Sequence, residues 1–179
     1  MTFRALALNI VWIATACNGA QPSGEQRAEQ MVSVAKTHLA VDDLKQTVGH
    51  PLANSRLKEV AYDSEAHGRF ATYQLTTDGA LKLFVVNQPD ASPYVPIKDR
   101  AVFIERMMDI TAPEAPKAER AWGARQLDSL WKYPARTLPV QVGNYVFKGN
   151  SGGYKGVHDT LIIVAADSVT TGLKYRPPR

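Results

Sequence analysis

The run RFATYQLTTDGALKLFVV, residues 69–86, constrains the fold more than any other stretch of the chain. Two alternating segments flank Thr77-Asp78-Gly79, the pattern of two antiparallel strands joined by a tight turn. Turn length sets the register. A two-residue Asp78-Gly79 turn puts Leu75 opposite Lys82 and mixes the faces. A three-residue loop with Gly79 left-handed pairs Leu75 with Leu81, Tyr73 with Leu83 and Ala71 with Val85, all apolar and all on one face. The second register is the expected one. It leaves Thr72, Gln74, Lys82 and Phe84 on the opposite, partly wet face.

The rest of the chain supplies partners for this hairpin. Ser23-Gly24-Glu25-Gln26 has capping-box spacing, and Ala28, Met31, Val32, Ala35 and Leu39 recur at helical spacing behind it. A helix is expected over about 24–39, and a shorter one over Asp42–Val48, stopped by Gly49 and Pro51. Leu57–Tyr62 reads as a further strand. Asn87–Asp99 holds three prolines and reads as a loop. Ala101–Ile110 (AVFIERMMDI) is ambiguous and leans to a strand. A Pro/Ala connector, Thr111–Ala118, leads into a helix of about 118–132 closed by Pro134. Leu138–Lys148 and Asp159–Ala166 read as strands joined by a glycine-rich loop, with a last strand near Thr170–Tyr175. The pattern predicts an α+β fold: a mostly antiparallel sheet of about five or six strands, with two or three helices packed to one side.

A chain of 179 residues, 45% of them hydrophobic, is long enough for one modest core. Beyond the N-terminus, no apolar run approaches the roughly 18 residues needed to span a bilayer. The net charge of +4 is unevenly placed. From Lys132 onward seven Lys and Arg face two Asp, leaving the first 131 residues slightly negative. Such a basic segment can meet an acidic protein, anionic headgroups or phosphate. Its cations are dispersed, and no RNA-binding motif surrounds the aromatics, which argues against nucleic acid as a partner.

The first 16 residues, MTFRALALNIVWIATA, place one cation, Arg4, before an apolar stretch from Ala5 to Ala14. That is the length of a signal-peptide apolar region and too short for a membrane span. Ala14, Thr15 and Ala16 then lead into Cys17, the only cysteine. The arrangement resembles the lipobox of bacterial lipoproteins, with Ala14 standing where Leu, Val or Ile is usual. The resemblance covers residues 1–17 and implies that Cys17 is acylated and becomes the mature N-terminus. Asn18 in place of Asp resembles lipoproteins sent on to the outer membrane. A plain signal peptide cut at the Ala14-x-Ala16 site leaves the same mature start without lipid. The expected organisation is a signal peptide over 1–16, a lipidated tether over 17–23 and one globular domain over 24–179. A lone thiol cannot form an internal disulfide, and acylation would consume it.

Few residues advertise chemistry. Asp63, Glu65 and His67 alternate, so an extended backbone would aim all three to one side, as a weak candidate for a divalent metal. The His67-Gly68 ending favours a solvated turn instead. Gly149-Asn150-Ser151-Gly152-Gly153 resembles the nucleophile loop of chymotrypsin-type serine proteases, with His67 and Asp99 in the family's chain order. The surroundings of His67, the absence of Pro after Gly153 and the 28 residues that follow Ser151 all argue against that family. No cofactor is implied. On the 118–132 helix Trp122 falls roughly opposite the apolar side, either as an anchor for a partner or packed under a neighbouring loop.

These readings favour a lipid-anchored envelope protein of the outer membrane, facing the periplasm, that binds another protein without catalysis. The candidate partner-binding residues are Trp122, Lys148, Lys155, Lys174 and Arg176. By analogy of size and address, the binding role is that of an immunity protein or inhibitor of an exported toxin or hydrolase. An accessory subunit of a secretion or assembly complex is the alternative within the class, and a periplasmic hydrolase the alternative outside it.

Overall fold

A computed structural model describes residues 21–49, 56–87, 99–131, 138–150 and 160–168. Cys17 and its leader, Ser151, Lys155, Lys174, Arg176 and the strand expected near 170–175 lie outside the described residues. In chain order the elements are α1 (Gly24–Leu39), β1 (Leu44–Gly49), β2 (Leu57–Ser64), β3 (Gly68–Thr76), β4 (Leu81–Asn87), α2 (Arg100–Thr111), α3 (Lys117–Trp131), β5 (Val140–Val142), β6 (Tyr145–Asn150) and β7 (Thr160–Ala165). A 3₁₀ turn, Ala166–Ser168, follows. The strands form one sheet in the order β1-β2-β3-β4-β7-β6-β5, every neighbouring pair antiparallel. The fold is α+β as expected, with seven strands where five or six were expected.

The helices cover one face of this sheet. Helix α1 opens with the expected capping box: Gln26 N–H donates to Ser23 Oγ at 3.2 Å, and Ser23 N–H to Gln26 Oε1 at 2.9 Å. Its buried stripe, Ala28, Met31, Val32 and Ala35, lies over β3 and β4. Helix α3 lies over β5 and β6, and α2 packs against both other helices. Beneath them, Val60, Tyr73, Phe84, Phe147 and Ile163 belong to one buried apolar cluster.

Three local expectations are corrected. Residues 101–110 are helical, because Phe103, Ile104, Met107, Met108 and Thr111 fall on one stripe at helical spacing and all five are buried. Residues 44–49 form an edge strand, not a helix. Leu44–Gly49 has too few apolar side chains for a packed helical stripe, whereas all six of its residues pair with β2, from Ser64 to Glu59. The stretch 138–148 is not one strand but the start of a hairpin, broken at Gly143-Asn144. Gly143 has φ +52°, which suits the first central position of a tight hairpin turn, and its N–H donates to Glu119 Oε1 on α3 at 2.9 Å.

The 69–86 hairpin has the expected three-residue loop, with Gly79 at φ +82° and Leu75 opposite Leu81. Beyond that closing pair the expected register fails. A β-bulge at Lys82 sets Gln74 opposite Leu83, Tyr73 opposite Phe84 and Ala71 opposite Val86. The extra residue reverses which β4 side chains face the helices. Phe84 and Val86 join Leu81 in the core, and Leu83 and Val85 turn to the other side.

Candidate functional site

Directly paired residues of antiparallel strands share a face, so the pairings can be followed from strand to strand across the sheet. One row on the face opposite the described helices, called the helix-free face for the described residues, runs Glu59, Gln74, Leu83, Val164, Val146 and Gln141. The next runs Thr47, Ala61, Thr72, Val85, Ile162 and Lys148. The face therefore divides in two. Strands β1 to β3 present mostly polar side chains; β4, β7 and β6 present Leu83, Val85, Ile162, Val164 and Val146.

The polar half is internally satisfied. Arg69 Nε donates to Asp63 Oδ1 at 2.6 Å, Thr47 Oγ1 to Asp63 Oδ2 at 2.9 Å and Gln74 Nε2 to Glu59 Oε2 at 2.7 Å. Lys45 pairs with Glu65. These bonds hold the Asp63 carboxyl below its usual range, the Arg69 bond most strongly. The apolar half is different. Val146 is 4% exposed, and the four around it are half-buried on a face that carries no helix among the described residues. Lys148 borders them, exposed, and forms no ion pair among the described residues.

Of the candidate partner-binding residues, Lys148 alone among the described ones lies on this surface. Trp122 does not stand free: it is half-buried and packs against the core cluster. Asp63, Glu65 and His67 do not form a metal cradle. Asp63, one residue before the end of its strand, is bound to Arg69, and Glu65 and His67 lie in the β2–β3 turn, where alternation no longer holds. Among the described residues no three His, Cys, Asp or Glu side chains are grouped to hold a metal. No hydrogen bond joins His67 to Asp99 among the described residues. His38 stacks on Phe103 with ring centroids 4.8 Å apart.

A concavity of about 400 Å³ opens between the start of α1 and the end of α2, lined by Gln21, Gln30, Asp109, Ile110 and Glu114 among others. Asp109 is engaged by Arg120 at 2.5 Å. The lining offers amides and carboxylates but no paired nucleophile and base, so its chemistry is that of weak polar contact.

Leu83, Val85, Val146, Ile162 and Val164 were missed in the sequence because the bulge hides the parity of β4. A usable signal was present: LKLFVV and TLIIVA are apolar at consecutive positions, so both faces of these strands are apolar. Comparison with family models, with curated proteins and with solved structures finds no match to this chain. Among the described residues no helix is long and apolar enough to cross a membrane.

Proposed function

We propose that the chain is exported, acylated on Cys17 and held at the bacterial envelope, where it binds a protein partner through the helix-free face of its sheet and catalyses no reaction. The lipobox-type leader supports the address. The observation that carries the binding role is the half-exposed apolar patch of Leu83, Val85, Ile162 and Val164 around Val146. An apolar centre with a polar border is the usual anatomy of a protein interface. Charge complementarity narrows the partner. The cations on the polar half, Lys45 and Arg69, are matched by carboxylates of this chain. Lys148 beside the patch has no such match among the described residues, so the partner brings an apolar surface with a carboxylate at its margin. An exported toxin or hydrolase, neutralised by this chain as its immunity protein or inhibitor, is the partner class that the address favours.

Capture from envelope extract tests this when wild type and variants are compared. Lys148→Glu and Ile162→Gln should each lose a partner that wild type and Thr72→Glu, on the polar half, retain. Melting temperatures show whether the variants stay folded. Retention of the same partner by both patch variants overturns the proposal. A secretion or assembly subunit as the captured protein would replace the inhibitor role with an accessory one.

A further inference from the structure

Arg27, in the first turns of α1, reaches back over the chain that enters the helix. Its Nε donates to the Pro22 carbonyl at 3.2 Å and its Nη2 to Gln21 Oε1 at 3.3 Å. Its Nη1 crosses to the carbonyl of Thr111, the last residue of α2, at 3.2 Å. Gly24 is pressed against the backbone of the β3–β4 loop so closely that a Cβ would overlap Gly79 O and Leu81 N. The point where the N-terminal segment joins the fold is thus fixed at one end of the two layers. The antiparallel order sets the Thr77–Gly79 loop, the 112–116 connector and the Gly143-Asn144 turn at that same end. The Glu65–His67 turn and the start of α2 lie at the other.

Two lengths decide how such a domain can sit. Four residues take the chain from Gln21 back to Cys17, a reach of at most about 14 Å. The nine residues of β3 run from the far end to the near one, about 30 Å. An acyl group seated in hydrocarbon therefore keeps the near end within about 14 Å of the bilayer and cannot let the domain stand on its far end. We propose that the mature chain rests with its near end, the loop at 77–79, the connector at 112–116 and the turn at 143–144, against lipid headgroups, with the helix-free sheet face rising off the membrane. The inference rests on the acylation of Cys17. Part of the charge at the near end is paired within the chain, Glu25 with Lys58, Asp167 with Lys82 and Asp109 with Arg120, and the tether rather than charge sets the pose. The same pose is expected on zwitterionic and on anionic membranes.

The test uses the acylated full chain purified from membranes, in which Cys17 is consumed and an introduced cysteine is the only free thiol. Thr77→Cys at the near end and Ala66→Cys at the far end are both exposed sites. Each is labelled with a fluorophore and placed in vesicles carrying a headgroup-level quencher, of phosphatidylcholine alone or with phosphatidylglycerol. Quenching at position 77 should exceed that at 66 several-fold in both vesicles. Equal quenching, the reverse order, or a difference seen only with phosphatidylglycerol overturns the pose. Mass spectrometry of the same sample separates the two readings: a mature chain without acyl on Cys17 overturns both, and an acylated chain with equal quenching overturns the pose alone.

Discussion

Tyr73, fully buried on β3, donates its phenolic hydrogen to Glu29 Oε1 of α1 at 2.6 Å. Tyr62 of β2 donates to the same carboxylate, also at 2.6 Å. One half-buried carboxylate thus satisfies two phenols and ties α1 to two strands. Glu29→Ala removes the acceptor of both phenols and should cost about 2–6 kcal/mol, at about 1–3 kcal/mol per unsatisfied buried group. Glu29→Gln keeps an acceptor and should cost less. Urea denaturation of the three proteins checks the order.

The same pair makes an alkaline prediction. Burial first, and the Glu29 carboxylate second, push both phenols above their ordinary value near 10. The folded chain then keeps protons that the unfolded chain releases. Their contribution is complete below pH 10 and is lost as pH rises through the higher folded values. Stability should fall above pH 10 by up to about 1.4 kcal/mol per pH unit for each phenol, and Tyr73→Phe should make the fall shallower. Equal slopes for wild type and Tyr73→Phe would contradict this.

Lys82 is the residue that the bulge accommodates. Without it, either Leu81 or the pair Phe84 and Val86 must leave the core, and two buried side chains outweigh one. Deleting Lys82 should therefore expose Leu81 and cost about 2 kcal/mol, the worth of one buried aliphatic side chain. Hydrogen exchange should quicken in the 76–81 loop, with β4 beyond Leu83 still protected.

Trp122 packs against the core, so Trp122→Ala should act on stability. About 2 kcal/mol is expected, roughly half the cost of truncating a fully buried Trp. At about 2–4 °C per kcal/mol the melting temperature should fall by roughly 4–8 °C. A Trp122 that served only as a partner anchor would give no such fall, and calorimetry distinguishes the two.

Gly24→Ala places a methyl group against backbone atoms of the β3–β4 loop, which cannot rotate away as a side chain can. A loss of about 1–3 kcal/mol is expected, the usual cost of overpacking. Gly123→Ala meets side chains instead, Val142 Cγ2 at 2.5 Å and Met108 Sδ at 3.2 Å. Its helix-propensity gain of about 1 kcal/mol offsets part of that clash. The first substitution should therefore lower the melting temperature more.

The sequence was most legible where local chemistry decides. The Ser23–Gln26 capping box and the loop at Gly79 are settled within a few residues, and both appear as read. Residues 44–49 and 101–110 were misread because their state depends on what lies beside them: a neighbouring strand for one, two helices for the other. The candidate surface was hidden for a related reason. Whether Leu83 or Phe84 faces the helices turns on one inserted residue, and alternation cannot reveal a bulge.

The sheet order also bears on how the chain is made. Strand β7 inserts between β4 and β6, so Leu83 finds Val164 only after the intervening residues have emerged. Until then both flanking strands present bare main-chain donors and acceptors in the middle of an unfinished sheet. Closing it requires a contact between residues far apart in the chain, which is the slow kind. A polypeptide threaded across a membrane from its N-terminus would complete the centre of its sheet only once β7 had followed β4 and β6 through, which helps keep those strands unfolded until then.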